Sequence, residues 1–176
     1  IRPRDWSSDV CSSDLRQVLR ITPEDRCLSV AKLFFAYGLG NSLTFPFSVG
    51  ASTVLEASRP TPAGMAALAA SARPTLFFGS PGFYAGLVDA GVDPTAFRSV
   101  RLGVSAGEVL PAELHRRATA HLGFPVLDGI GSTEALHIFL SNRSGHERPG
   151  TSGTPVDGYE VKLCDESGAV VTEPDT

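Results

Sequence analysis

Residues 100–134 read VRLGVSAGEVLPAELHRRATAHLGFPVLDGIGSTE. An apolar stretch, Val100–Val104, ends in the small-residue turn Ser105–Glu108. Pro111–Leu122 then has helical spacing and stops at Gly123. Phe124–Leu127 is a second apolar stretch, and it ends in another turn, Asp128–Glu134. Two short strands joined by a helix of this length pair in parallel, through a right-handed crossover.

The same alternation extends upstream. Thr75–Gly79 reads as a strand and Pro81–Ala90 as a helix, with Gly79-Ser80-Pro81-Gly82 between them. Thr61–Ser71 reads as a helix with Pro62 near its start, where a missing N–H costs least. Ala51–Ala57 reads as a strand. Lys32–Gly50 is apolar and punctuated by glycine, and Arg26–Ala31 leans towards a strand. Downstream the character changes. Gly158–Leu163 and Ala169–Thr172 flank Asp165-Glu166-Ser167-Gly168, a hairpin-type turn. The fold class expected is therefore α/β: a parallel sheet with flanking helices, running into a small β-rich subdomain.

Composition narrows the function classes. The chain has 176 residues, 42 % of them hydrophobic and 19 % charged, with a net charge of −4. That balance excludes a disordered chain. Without a basic stripe, nucleic acid is not an expected partner. No apolar run reaches the ~18 residues of a membrane-spanning helix, so no membrane role is expected. Cysteines at 11, 27 and 164 lack metal-type spacing, which fits a reducing, cytoplasmic location. Residues 1–15, IRPRDWSSDVCSSDL, follow neither helical nor strand periodicity. They resemble the conceptual translation of a sequencing-library adapter and are expected to be non-native. The adapter, and the way Val170-Val171-Thr172-Glu173-Pro174-Asp175-Thr176 stops partway through a strand-and-turn region, suggest a fragment cut at both ends.

Ligands of open α/β sheets collect beyond the carboxyl ends of the strands. Three such ends carry small residues: Gly79–Gly82, Ser105-Ala106-Gly107-Glu108, and Asp128-Gly129-Ile130-Gly131-Ser132-Thr133-Glu134. A parallel sheet places all three on one edge. Each loop taken singly also reads as an ordinary strand-to-helix turn. Ser132 and Thr133 offer hydroxyls and N–H groups at an expected helix start, which suits phosphate oxygens. Glu134 adds a carboxylate of the kind that shares Mg²⁺ with substrate phosphates. Helix capping accounts for the same residues equally.

DGIGSTEALHIFLSN (128–142), with KLFFAYGLGNSLTFPFSVGA (32–51) upstream and VSAGEVLPAE (104–113) between, resembles the acyl-adenylate-forming enzymes. Within them it is most similar to the benzoate and hydroxybenzoate CoA ligases. The resemblance implies an enzyme that uses ATP, Mg²⁺ and CoA. A carboxylate attacks the α-phosphate of ATP, and CoA then displaces AMP from the acyl adenylate. By motif, Thr133 contacts the adenylate phosphate and Glu134 binds Mg²⁺. Ser105, Ala106, Gly107 and Glu108 flank adenine and the acyl group. Asp128, Gly129 and Ile130 line the same cavity, and Gly131 and Ser132 continue it. Ala36, Tyr37, Gly38 and His137 are expected in the acyl pocket, with Tyr37 as a wall and His137 at the mouth, in a helix following Glu134. Tyr37 as a core aromatic, and His137 as a packing residue, are the competing readings.

His115 and His121 are read as solvated on a polar helix. Lys32 is read as exposed, with a CoA phosphate as the alternative. The implied division is a non-native 1–15, a partial nucleotide- and acyl-binding lobe over 16–155, and the start of a β-rich subdomain over 156–176. The family's phosphate loop, ribose-binding Asp and C-terminal catalytic Lys have no counterpart here, so the fragment is expected to be inactive alone. Two rival functions stand beside the aryl-CoA ligase. One is adenylation of a fatty, amino or hydroxy acid, and the other is a non-catalytic nucleotide-binding module. The sequence leaves the choice of aryl acid and the oligomeric state open.

Overall fold

The computed structural model describes residues 18–171. The expectations for 1–15 and for Thr172 lie outside them. Seven strands form one mixed sheet in the order β2-β1-β3-β4-β5-β6-β7. These are β1 (Arg26–Ser29), β2 (Ser52–Val54), β3 (Leu76–Gly79), β4 (Leu102–Ser105), β5 (Val126–Gly131), β6 (Ile138–Ser141) and β7 (Thr154–Pro155). The first five pair in parallel, while β6 and β7 are antiparallel additions at one edge.

Three helices cover one face: α3 (Pro62–Ala72), α4 (Pro81–Asp89) and α5 (Ala112–Leu122). Pro62 and Pro81 stand at their first positions, each behind a hydroxyl cap. Thr61 Oγ1 accepts from Gly64 N–H at 3.1 Å, and Ser80 Oγ from Phe83 N–H at 3.3 Å. Helix α5 ends where Gly123 takes φ +80°, a left-handed conformation that costs glycine little.

The strand period of two sends alternate side chains to opposite faces. Leu76 and Phe78 join Leu102, Val104, Leu127 and Phe45 on one side. Phe77 joins Val126, Tyr84, Phe97 and Phe124 beneath the helices. Both faces of β3 and β4 are buried, which explains their continuous apolar runs.

The structure corrects several expectations. Lys32–Gly50, read from the sequence only as apolar and punctuated by glycine, contains helix: α1 (Ala36–Leu39), one π-helical turn (Gly40–Thr44) and α2 (Phe45–Ser48). The strand expected over 51–57 is three residues long, whereas β5 runs on to Gly131. No helix follows Glu134. Residues 132–137 instead form the turn of an antiparallel hairpin, closed by Ser132 N–H to the His137 carbonyl (3.3 Å) and Leu136 N–H to the Thr133 carbonyl (3.0 Å). Leu136 has φ +64°, and this left-handed step stops any helix from propagating. His115 is buried with Nε2 at 2.8 Å from the Val126 carbonyl, and His121 is half-buried against the Val92 carbonyl at 3.0 Å. Neither is solvated, because both face the interior side of α5. Of the late hairpin only a bridge between Cys164 and Val170 remains, around the turn at Asp165–Gly168.

Candidate active site

The three strand-end loops meet. Gly79, Ser105 and Asp128 stand abreast on β3, β4 and β5. Just beyond them opens a cavity of about 330 Å³, walled by Ser80, Ala106, Gly107, Gly131, Ser132 and Thr133 from these loops. Ala31, Phe35, Ala36 and Tyr37 complete the lining, with Leu136, His137 and Ile138 from the same hairpin as Gly131. Its size falls within the usual range for small-molecule sites.

Tyr37 packs against the sheet with its hydroxyl 3.1 Å from the Val104 carbonyl and 3.4 Å from that of Gly79. The hydroxyl donates its single proton at the end of β4, nearest Val104, with the β3 carbonyl beside it, so the ring is presented to the cavity. The ring stacks on His137 at 5.2 Å and meets Phe78 edge-on at 6.5 Å. It is both pocket wall and core aromatic.

His137 departs from the expected position at the mouth. It is buried, with Nε2 2.8 Å from Asn41 Oδ1 and its ring 4.4 Å from that of Phe45. Burial pulls its pKa down to about 3, so the imidazole is neutral at physiological pH. The hairpin turn requires this placement. A Cβ on Gly131 would lie 2.3 Å from the His137 carbonyl oxygen, so only glycine lets the two strands approach here.

The phosphate-type residues sit on the turn itself. Thr133 and Glu134 are exposed, and Ser132 Oγ accepts from Ala135 N–H at 3.2 Å. Their N–H groups belong to a turn, so no helix dipole supports them. Tyr159 clamps the turn from outside by donating to the Ala135 carbonyl at 3.2 Å.

Asp128 is buried at the end of β5. Burial pushes its carboxyl above the usual range, and the Leu110 N–H, 3.4 Å from Oδ2, opposes the shift. Its carbonyl accepts from both Asn142 N–H (2.9 Å) and Asn142 Nδ2 (3.3 Å).

Seven residues named from the sequence lie off the cavity wall: Gly38, Ser105, Glu108, Asp128, Gly129, Ile130 and Glu134. Ser105 and Gly129 are buried in the strands beneath it, and Gly38 is buried in α1. Glu108, Ile130 and Glu134 are exposed around it. Lys32 Nζ donates to the backbone carbonyls of Glu56 and Ser58, which accounts for its charge without a ligand. The residues that sequence reasoning missed are Ala31, Phe35, Leu136 and Ile138 on the wall, and Asn41 behind His137. Only Asn41 left a signal, as an amide inside an apolar run.

Residues 2–175 match the AMP-binding enzyme family. The chain belongs to that family. A benzoate–CoA ligase of Thauera aromatica is 51 % identical over 159 residues, 89 % of this chain and 30 % of the relative. A benzoate CoA ligase structure from Burkholderia xenovorans LB400 superposes with a TM-score of 0.88 at 46 % identity, over 95 % of this chain and 35 % of that one. An anthranilate CoA ligase solved with anthranoyl-AMP gives 0.87 at 36 % identity, over 96 % and 33 %. The chain thus spans about a third of these AMP-binding relatives.

Proposed function

We propose that the intact protein carrying this segment is an ATP-dependent aryl-CoA ligase, acting on benzoate or a hydroxybenzoate in the cytoplasm. The observation that carries this reading is the cavity at the carboxyl edge of the sheet. Its lining combines the Tyr37 ring beside a neutral His137 with the small residues Ala106, Gly107 and Gly131. Such a slot admits a flat ring and places no charge against it. The similarity to benzoate and anthranilate CoA ligases supports the same assignment.

In the first half-reaction a carboxylate oxygen attacks the α-phosphorus of ATP, and the bond to the bridging oxygen of pyrophosphate breaks. In the second, the CoA sulfur attacks the acyl carbon and AMP leaves. Thr133, on the cavity wall, contacts the adenylate phosphate, with Ser132 beside it. Ser105–Glu108 and Asp128–Gly131 form the bed for adenine and the acyl group. Glu134 and the Thr133 hydroxyl are exposed oxygen donors on one turn, a donor set that suits Mg²⁺ shared with phosphate oxygens. Mg²⁺ bound there supplies charge neutralisation on the phosphates. The remaining catalysis is positioning.

The test is an acid panel with the intact protein, ATP, Mg²⁺ and CoA, read as thioester formation. Benzoate or a hydroxybenzoate should give the highest kcat/KM. A preference for a long-chain fatty acid or an amino acid would overturn the assignment.

A further inference from the structure

The helix over 36–48 is regular except at the π turn Gly40–Thr44, where Phe45 N–H reaches back to the Gly40 carbonyl. A π turn gives up regular α-helical hydrogen bonding and is often found at functional sites. The buried residues of this turn are Gly40, Asn41 and Ser42. Asn41 has no exposed surface, and its Oδ1 lies 2.8 Å from His137 Nε2. The site is shaped around this contact. A Cβ on Gly40 would lie 2.6 Å from His137 Cδ2, while Tyr37 and Phe45 hold the ring on two further sides. An amide oxygen can only accept, so the His137 Nε2 that faces it carries the proton. The Asn41 Nδ2 atom is itself buried with no hydrogen-bond partner among the described residues. Desolvating a polar side chain is costly, so an amide at this position calls for an explanation beyond filling space.

We propose that Asn41 is a positioning residue of the acyl pocket: it holds His137 as the Nε2–H tautomer and fixes the imidazole plane beside Tyr37. The ring of an aromatic carboxylate then meets a wall of fixed orientation. The identity of that ligand rests on the aryl-CoA ligase reading, whereas the tautomer does not.

The test is a long-range ¹H–¹⁵N correlation spectrum of the full 176-residue chain labelled at histidine, with His137 assigned by its loss in His137→Gln. The unmodified chain should show a single Nε2–H tautomer for His137. Asn41→Leu should remove that preference and, in the intact protein, weaken benzoyl-adenylate binding about tenfold, the scale of one lost hydrogen bond that fixes an orientation. Asn41→Asp keeps the acceptor and should keep the Nε2–H signal. An Nδ1–H tautomer in the unmodified chain, or an unchanged ring spectrum in Asn41→Leu, overturns the proposal. If Asn41→Leu does not fold, Asn41→Asp decides, because loss of Nε2–H there overturns it equally. Failure of the intact protein to bind benzoyl adenylate counts against the aryl-CoA ligase reading and leaves the tautomer result to stand.

Discussion

The Tyr37 hydroxyl lies 3.1 Å from the backbone carbonyl of Val104, on the strand that ends in Ser105. One side chain thus ties the helical segment over 36–48 to the edge of the sheet where the cavity opens. The pocket-facing surface of Tyr37 is its ring. Tyr37→Phe should therefore keep the acid preference of the intact protein and lower stability by about 1 kcal/mol, the net contribution of one hydrogen bond. Tyr37→Ala should shift preference towards bulkier acids. Urea melts with kcat/KM for a series of substituted benzoates measure both, and a change of acid preference in Tyr37→Phe would show that the hydroxyl reads the substrate.

Gly131 is fixed by backbone rather than by side chains, since a Cβ would stand 2.3 Å from the His137 carbonyl oxygen. The clash cannot be relieved by a rotamer change. Gly131→Ala should open the hairpin between β5 and β6 and cost about 2 kcal/mol or more. Hydrogen exchange at Ser132 and Ile138 should rise selectively. Unchanged exchange would mean that the turn accommodates the methyl.

The parallel half of the sheet was legible because its strands and helices differ in period and each is punctuated by glycine or proline. The convergence of the three loops followed from that topology alone. The hairpin after Gly131 was not legible. Ser132-Thr133-Glu134 is a good helix start by local chemistry, and the feature that overrides it is Leu136 at φ +64°, which leucine does not advertise. His115 and His121 read as polar positions of a charged helix, yet each finds a backbone carbonyl on a neighbouring segment, a tertiary pairing without local trace. Asn41 was not singled out, and its partner is 96 residues away.

At the opposite edge of the sheet, Asp25 joins the starts of three strands. Arg101 donates from Nε (3.0 Å) and Nη2 (2.7 Å), Thr75 Oγ1 at 2.6 Å and Thr22 N–H at 2.9 Å. Burial raises the Asp25 pKa, but the bonds from Arg101, Thr75 and Thr22 outweigh it and hold the carboxyl below 3.8. A depressed folded-state pKa contributes stability above the unfolded value of ~3.9, and that contribution is lost as pH falls through the folded value. Asp25→Asn should cost about 2 kcal/mol near neutral pH, a figure moderated by the partial exposure of Arg101. The gap to the unmodified chain should narrow as pH falls below the unfolded value of ~3.9. Parallel urea melts at the two pH values check this, and a gap that is constant with pH would remove the charge from the account.

Glu134 should matter to rate and not to folding. Its carboxylate is exposed, and Gln is near-isosteric without the charge. In the intact protein Glu134→Gln should slow adenylate formation by about 10²–10³ at limiting Mg²⁺, the scale of one lost charge-stabilising contact, with an unchanged melting curve. An unaltered Mg²⁺ dependence would leave Thr133 and Glu134 as an ordinary turn.

The central claim is that the cavity between Tyr37 and Gly131–Thr133 holds an aryl adenylate. A crystal structure of the intact protein with a non-hydrolysable benzoyl-adenylate analogue tests it most directly. The account predicts the phenyl ring against Tyr37 and His137, the phosphate-mimicking group within hydrogen-bond reach of Thr133, and adenine over Ser105–Glu108 and Asp128–Ile130. A phenyl ring seated outside this cavity, with Thr133 and Tyr37 untouched, would contradict it.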